Sequence, residues 1–165
     1  MFRGVMKLGF AVIAGSFLLT ACSSTKEEAT APVTTTPTSA IKPGSAEDFR
    51  VNVGDTVLFD TDQHTVRADA QSILQKQAAW LKQYPQVKLM VEGHADERGT
   101  REYNLALGDR RAYAVKEFLV SLGVDAARLQ TKSYGKERPI CSESDESCWQ
   151  QNRRGYSVIA AGAGS

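Results

Sequence analysis

The sequence carries almost no excess charge of either sign, with 20 Lys and Arg against 19 Asp and Glu in 165 residues. So close a balance gives no field to attract nucleic acid, and the modest aromatic content is not interleaved with basic residues. Nucleic acid is excluded as a partner on both grounds. Histidine and cysteine are scarce as well, at two and three residues. His94-x-Asp96 is a fragment with fewer ligands than a metal site needs. No Ser or Cys stands in a recognisable nucleophile context, so no metal, no cofactor and no catalysis are expected. No internal repeat is present. The apolar run from Leu8 to Leu19 is too short to span a bilayer core by itself.

What the chain does have begins with a targeting pattern. Arg3 and Lys7 precede the apolar run, and Leu19-Thr20-Ala21-Cys22 closes it. Residues 1–21 read as a signal peptide and take no part in the fold. Small residues before a cysteine resemble the lipobox of bacterial lipoproteins, which makes Cys22 the lipid attachment site. The alternative is an ordinary secretory signal with a chance cysteine. Acyl chains on Cys22 would anchor the protein permanently, because two lipid signals already suffice. Ser23 stands where an aspartate is the usual inner-membrane retention signal, which by analogy with bacterial lipoproteins favours the outer membrane. Residues 22–48 are rich in Thr, Ser, Pro and Ala, and cannot bury enough surface to offset chain entropy. They read as a disordered tether, able to reach about 85–90 Å fully extended and averaging roughly 25–30 Å as a coil. A spacer with no mechanical role fits the same composition.

The length allows one folded domain of ordinary size, expected over residues 49–165. Val51, Val53 and Thr56 to Phe59 read as a first strand interrupted by Gly54-Asp55. Apolar residues recur at three and four from Val66 to Tyr84, so this segment is a helix stopped by Pro85. Val87, Leu89 and Val91 alternate as a second strand that runs out at Gly93. Thr100 caps a second helix that reaches Leu122, with Gly123 closing it. Leu129 to Tyr134 is a third strand, followed by a polar loop and a last strand through Tyr156, Val158 and Ala160. The order β-α-β-α-β-β implies an α/β (α+β) sandwich, with two helices packed on one face of a mixed sheet.

The stretch from Val91 to Val115 holds the chemistry. Asn104, Leu107 and Arg111 share one stripe of the second helix, and Leu105, Gly108, Ala112, Val115, Leu119 and Leu122 form an apolar stripe facing the sheet. Asp96 lies on the loop before that helix. A guanidinium pairs bidentately with carboxylates and a carboxylate accepts from an ammonium, so Arg111 and Asp96 together suit the zwitterionic end of an amino acid. Equally, the two could form a plain salt bridge that stiffens the loop. His94 is expected as a polar residue at the mouth of the site.

The run Gly93-His94-Ala95-Asp96-Glu97-Arg98-Gly99-Thr100, then Asn104-x-x-Leu107-x-x-x-Arg111-Ala112, resembles the peptidoglycan-binding signature of the outer-membrane protein A C-terminal domain. It is most similar to the lipoprotein branch of that family that works in the Tol–Pal system. The resemblance implies a fold of that type and a non-catalytic domain that binds the diaminopimelate of the peptidoglycan stem peptide. Asp96 and Arg111 match the positions that grip it; Gly99 would let backbone approach the ligand, Thr100 and Asn104 would add polar contacts, and Leu107 an apolar floor. Phe59, Asp60 and Arg153 match positions near the site. Gly155 breaks the family pattern and puts the start of the last strand in doubt. The implied partners are peptidoglycan, the periplasmic Tol β-propeller protein and other Tol proteins, and the outer membrane through the acyl chains. The implied role is coupling outer membrane to wall and supporting constriction in cell division, with the domain facing the periplasm. Two alternatives stay open: a wall-binding lipoprotein serving a secretion or motor complex, and an enzyme acting on peptidoglycan. In an exported protein with Cys22 lipidated, Cys141 and Cys148 should pair as a disulfide. A metal knuckle there would lack two of its ligands. The acidic residues they bracket have no evident role.

Overall fold

The computed structural model describes residues 41–164; the signal segment, Cys22 and the tether as far as residue 40 lie outside the described residues. The first helix, α1 (Ala46–Asp48), is capped by Ser45, whose hydroxyl accepts from the Asp48 N–H at 3.1 Å. It falls on the last residues assigned to the tether, and it is tied down: the Trp80 indole donates to the Asp48 carboxylate at 2.8 Å.

Val51 and Val53 are not strand residues. They belong to a π-helical turn, Phe49–Val53, closed where the Gly54 N–H donates to the Phe49 carbonyl at 3.0 Å. Two valines one residue apart satisfy a period of two without proving it. The anchor is Phe49, which is buried against Trp80 with ring centroids 4.9 Å apart, while Val51 faces solvent. The strand proper, β1, is Thr56–Leu58, so Phe59 and Asp60 lie just beyond its end.

Helix α2 (Ala68–Gln83) buries Leu74, Ala78 and Leu81 on one side. Its C-terminus and the turn that follows are tied by Arg128, which donates to the carbonyls of Leu81, Tyr84 and Val87 at 2.9–3.0 Å. Strand β2 (Lys88–His94) alternates, with Leu89, Val91 and Gly93 inward. Thr100 caps α3 (Arg101–Ser121) by accepting from the Tyr103 N–H at 3.2 Å. Gly123, at φ +89°, takes the chain out of the helix, as expected of that position. Strand β3 (Leu129–Gly135), helix α4 (Glu146–Asn152) and strand β4 (Arg154–Ala161) complete the domain. Helix α4 occupies what reads in the sequence as a polar loop.

The sheet order is β1-β4-β2-β3, with β2 and β3 parallel and β4 antiparallel to both β1 and β2. It is a mixed sheet, as expected. Leu74 and Leu81 of α2, Val115 and Leu119 of α3, and Val57, Leu89 and Val91 of the strands share one core. Leu105 departs from the apolar stripe assigned to it and is 49% exposed. It lies over β3, the edge strand, so no further strand continues beneath its side chain.

Helix α3 meets β2 backbone to backbone. A Cβ on Gly93 would lie 1.7 Å from the Gly108 carbonyl oxygen. No other residue permits that approach, which sets Arg111 one turn beyond the contact and against the end of β2. Gly155 does not disturb the last strand. It pairs with Gly93 on one side and Val57 on the other, and a Cβ there would already crowd Val115 and Val57 at 3.0 and 3.2 Å.

Candidate functional site

Arg111 is fully buried, yet no carboxylate among the described residues forms an ion pair with it. Its Nε donates to the Gln63 carbonyl at 2.8 Å, Nη1 to that of His94 at 2.7 Å and Nη2 to that of Asp60 at 3.0 Å. The Phe59 ring lies beneath, 5.3 Å from the guanidinium carbon. Burial pushes the Arg111 pKa down to about 10, with the Asp96 charge opposing, so the group stays cationic at neutral pH. A buried cation held only by carbonyl dipoles leaves its charge uncancelled, and an anion is the natural complement.

Asp96 lies in the loop after β2 and is 7% exposed. Its Oδ1 accepts from the Arg98 backbone N–H and from Arg98 Nε, each at 3.1 Å. Its Oδ2 accepts from Arg98 Nη2 at 2.7 Å and from Arg153 Nη1 at 3.2 Å. Burial works to raise the Asp96 pKa, but the hydrogen bonds from Arg98 and Arg153 overcome it and hold the carboxyl below its usual range.

Both charges open on one cavity of about 260 Å³, lined by Thr61, Asp62, Asp96, Arg98, Gly99, Tyr103, Asn104, Leu107 and Arg111. They are not bonded to each other, so the plain salt bridge is absent. Of the residues singled out in the sequence, Asp96, Gly99, Asn104, Leu107 and Arg111 come together on this wall. Asn104 also pins the loop, donating to the Arg98 carbonyl at 2.7 Å. The other four stand off it. Thr100 is exposed and occupied as the α3 cap. Phe59 supports Arg111 from below. Asp60 offers Arg111 its carbonyl, while its carboxylate turns outward to Arg67 at 3.0 Å. Arg153 stands behind Asp96, held by Glu146 at 2.5 Å and Gln150 at 2.7 Å.

Four wall residues were not expected: Thr61, Asp62, Arg98 and Tyr103. The Tyr103 hydroxyl donates to Asp62 across the mouth. Asp62 has φ +59°, a conformation that few non-glycine residues adopt and one that gathers at binding sites. Tyr103 was legible as a first-turn residue of α3 on the same side as Asn104 and Leu107. Nothing local marked Asp62.

His94 is not at the mouth. Strand alternation turns its ring to the face opposite Gly93, where it is 1% exposed and stacks on Tyr134 at 5.5 Å. Neither ring nitrogen has a hydrogen-bond partner. Burial, then the Arg154 and Arg138 charges, lower its pKa to about 4, so its 3.6 Å approach to Glu92 is no ion pair at neutral pH. The Cys141–Cys148 disulfide is formed, with Cα atoms 5.1 Å apart. Among the described residues no group of three His, Cys, Asp or Glu side chains is placed to hold a metal.

Comparison with known proteins agrees with this architecture. The family model of the OmpA family matches residues 58–153. A peptidoglycan-associated lipoprotein of Mesorhizobium japonicum is 62% identical over 126 residues, covering 76% of this chain and 74% of that protein. The crystal structure of the peptidoglycan-associated lipoprotein from Burkholderia pseudomallei aligns with a TM-score of 0.62 at 46% identity, over 64% of this chain and 89% of that one. The C-terminal domain of Helicobacter pylori MotB aligns with a TM-score of 0.60 at 23% identity, over 65% and 84%, a likeness of fold alone. Both lipoproteins are named for association with peptidoglycan. On the matched span and the identity shared with these lipoproteins, the chain belongs to the OmpA family.

Proposed function

We propose that this protein binds peptidoglycan non-covalently by the amino-acid terminus of a meso-diaminopimelate side chain. The ligand carboxylate meets Arg111 and its ammonium meets Asp96, with Leu107 as floor and Gly99 and Asn104 as walls. One observation carries the reading. A buried guanidinium without a carboxylate partner shares a cavity with a buried carboxylate, and the two are not spent on each other. Tyr103 and Asp62 close the mouth. Thr100, Phe59, Asp60 and Arg153 support the grip from outside the cavity.

Around that site we read an outer-membrane lipoprotein, lipidated at Cys22 and tethered through residues 23–45, whose domain faces the periplasm. It couples the outer membrane to the wall, with the periplasmic Tol β-propeller protein as its partner and a part in constriction during division. The high identity to peptidoglycan-associated lipoproteins supports this over service to a motor complex, for which only a shared fold speaks.

Retention of the full-length chain on purified sacculi tests the site. Asp96→Asn keeps the shape and removes the charge, leaving an ammonium unpaired in a buried site. Such a loss is on the order of 2–5 kcal/mol, or at least about 30-fold in affinity. Retention equal to the parent chain would end the assignment.

A further inference from the structure

The Asp96 carboxylate is already full. An ionised carboxylate offers about four lone-pair sites. The structure fills them with the Arg98 N–H and Nε on Oδ1, and with Arg98 Nη2 and Arg153 Nη1 on Oδ2. An ammonium arriving at Asp96 must therefore displace a donor. Arg153 is 2% exposed and fixed by Glu146, Gln150 and the Phe59 carbonyl, so it stays. The Arg98 side chain is 38% exposed and lines the cavity, so it is the one able to leave.

Two groups already in contact with it can hold it more tightly once Asp96 no longer neutralises its charge. The Trp149 ring of α4 lies 4.2 Å from the Arg98 guanidinium carbon, and Glu146 Oε2 is 3.8 Å from Nη1. An aromatic face and a carboxylate together accept a guanidinium well. Trp149 is itself aimed at the loop, its Nε1 donating to Glu97 at 3.0 Å. Helix α4 has only seven residues and would not hold alone. It is tied at both ends to Cys141. One tie is the disulfide to Cys148. The other is Asn152, which accepts from the Cys141 N–H at 3.3 Å and donates to its carbonyl at 2.7 Å. The acidic segment without a role in the sequence thus builds a rigid platform beside the site.

We propose that Arg98 is a built-in counter-ion which the ligand's ammonium must displace from Asp96, and that Trp149 and Glu146, already in contact with it, then hold it. The proposal rests on the diaminopimelate reading above. It makes Arg98 a specificity element: only a ligand group cationic enough to replace a guanidinium gains Asp96, and neutral amides are turned away.

Calorimetric titration of the full-length chain, in detergent micelles, with a soluble L-Ala-γ-D-Glu-meso-diaminopimelate tripeptide tests it. Arg98→Gln removes the competitor and keeps the backbone contacts, so affinity rises by roughly two- to fivefold, the size of a half-exposed ion pair. Trp149→Ala removes the receiving face, so affinity falls by a similar factor, and Trp149→Phe restores it. In the Arg98→Gln background Trp149→Ala has no further effect, because residues acting on one another are not additive. Weaker binding by Arg98→Gln, or an undiminished Trp149→Ala loss in that background, overturns the proposal while leaving the site standing. If Asp96→Asn also binds the tripeptide as the parent does, the site reading falls and this one with it.

Discussion

Replacing Arg111 by lysine keeps the charge and removes the fork. The guanidinium ties two segments to α3 at once, through the carbonyls of Asp60 and Gln63 in the loop before α2 and of His94 at the end of β2. A lysine ammonium is a point charge on a flexible stem and can serve one of those three carbonyls, leaving two without their donor. A hydrogen bond to a charged group contributes about 1.5–3 kcal/mol. The Asp60 and Gln63 carbonyls are only partly buried, so water compensates in part and the lower end applies. Two lost bonds then amount to about 3 kcal/mol, a large share of a typical domain stability of about 5–15 kcal/mol. Urea denaturation followed by Trp fluorescence should show the midpoint lowered by about 1–2 M. Sacculus retention measured well below that midpoint should fall as well, since the planar face toward the cavity is gone. A lysine variant with unchanged midpoint and full retention would refute the view that the fork, rather than the charge, organises the site.

Gly93→Ala should be severe, because its methyl meets the Gly108 carbonyl at 1.7 Å and neither backbone can withdraw; a loss above about 3 kcal/mol, or no folded protein, is expected by denaturation. Gly155→Ala meets side-chain methyls at 3.0 and 3.2 Å, which can give, so its loss stays near about 1 kcal/mol. His94 is buried neutral with its pKa lowered from 6.5 to about 4, so the unfolded chain takes up the proton first as pH falls. Its contribution is intact above pH 6.5 and is lost between there and about 4, by about 3 kcal/mol. Denaturation across that window should show the slope, and His94→Phe should flatten it. Replacing Cys141 and Cys148 by alanine should lower stability by about 2–3 kcal/mol, read as a shift of the thermal midpoint.

The β2–α3 unit was legible because its signals are local. Thr100 caps, Gly123 terminates, and the 3.6-residue repeat puts Asn104, Leu107 and Arg111 on one stripe. Each of these needs only neighbours in sequence. Helix α4 was not legible for the opposite reason: seven residues with few apolar positions show no periodicity, and a disulfide and the Asn152 clamp hold it. The one available sign was Asp145, three residues before Cys148, whose N–H it accepts. His94 shows a different failure. Alternation alone would have turned it away from the cavity; its polar character drew it toward the mouth, and tertiary burial decided otherwise. The same distinction explains the two charges. Pattern identifies Asp96 and Arg111 but not what neutralises them, because Arg153 reaches Asp96 across 57 positions and Arg111 finds its carbonyls 17 to 51 positions away. Whether opposite charges are spent on each other or kept for a ligand depends on such distant partners. Here they occupy Asp96 with two arginines and Arg111 with uncharged carbonyl groups, so the cation keeps a demand for an anion that no ion pair among the described residues meets.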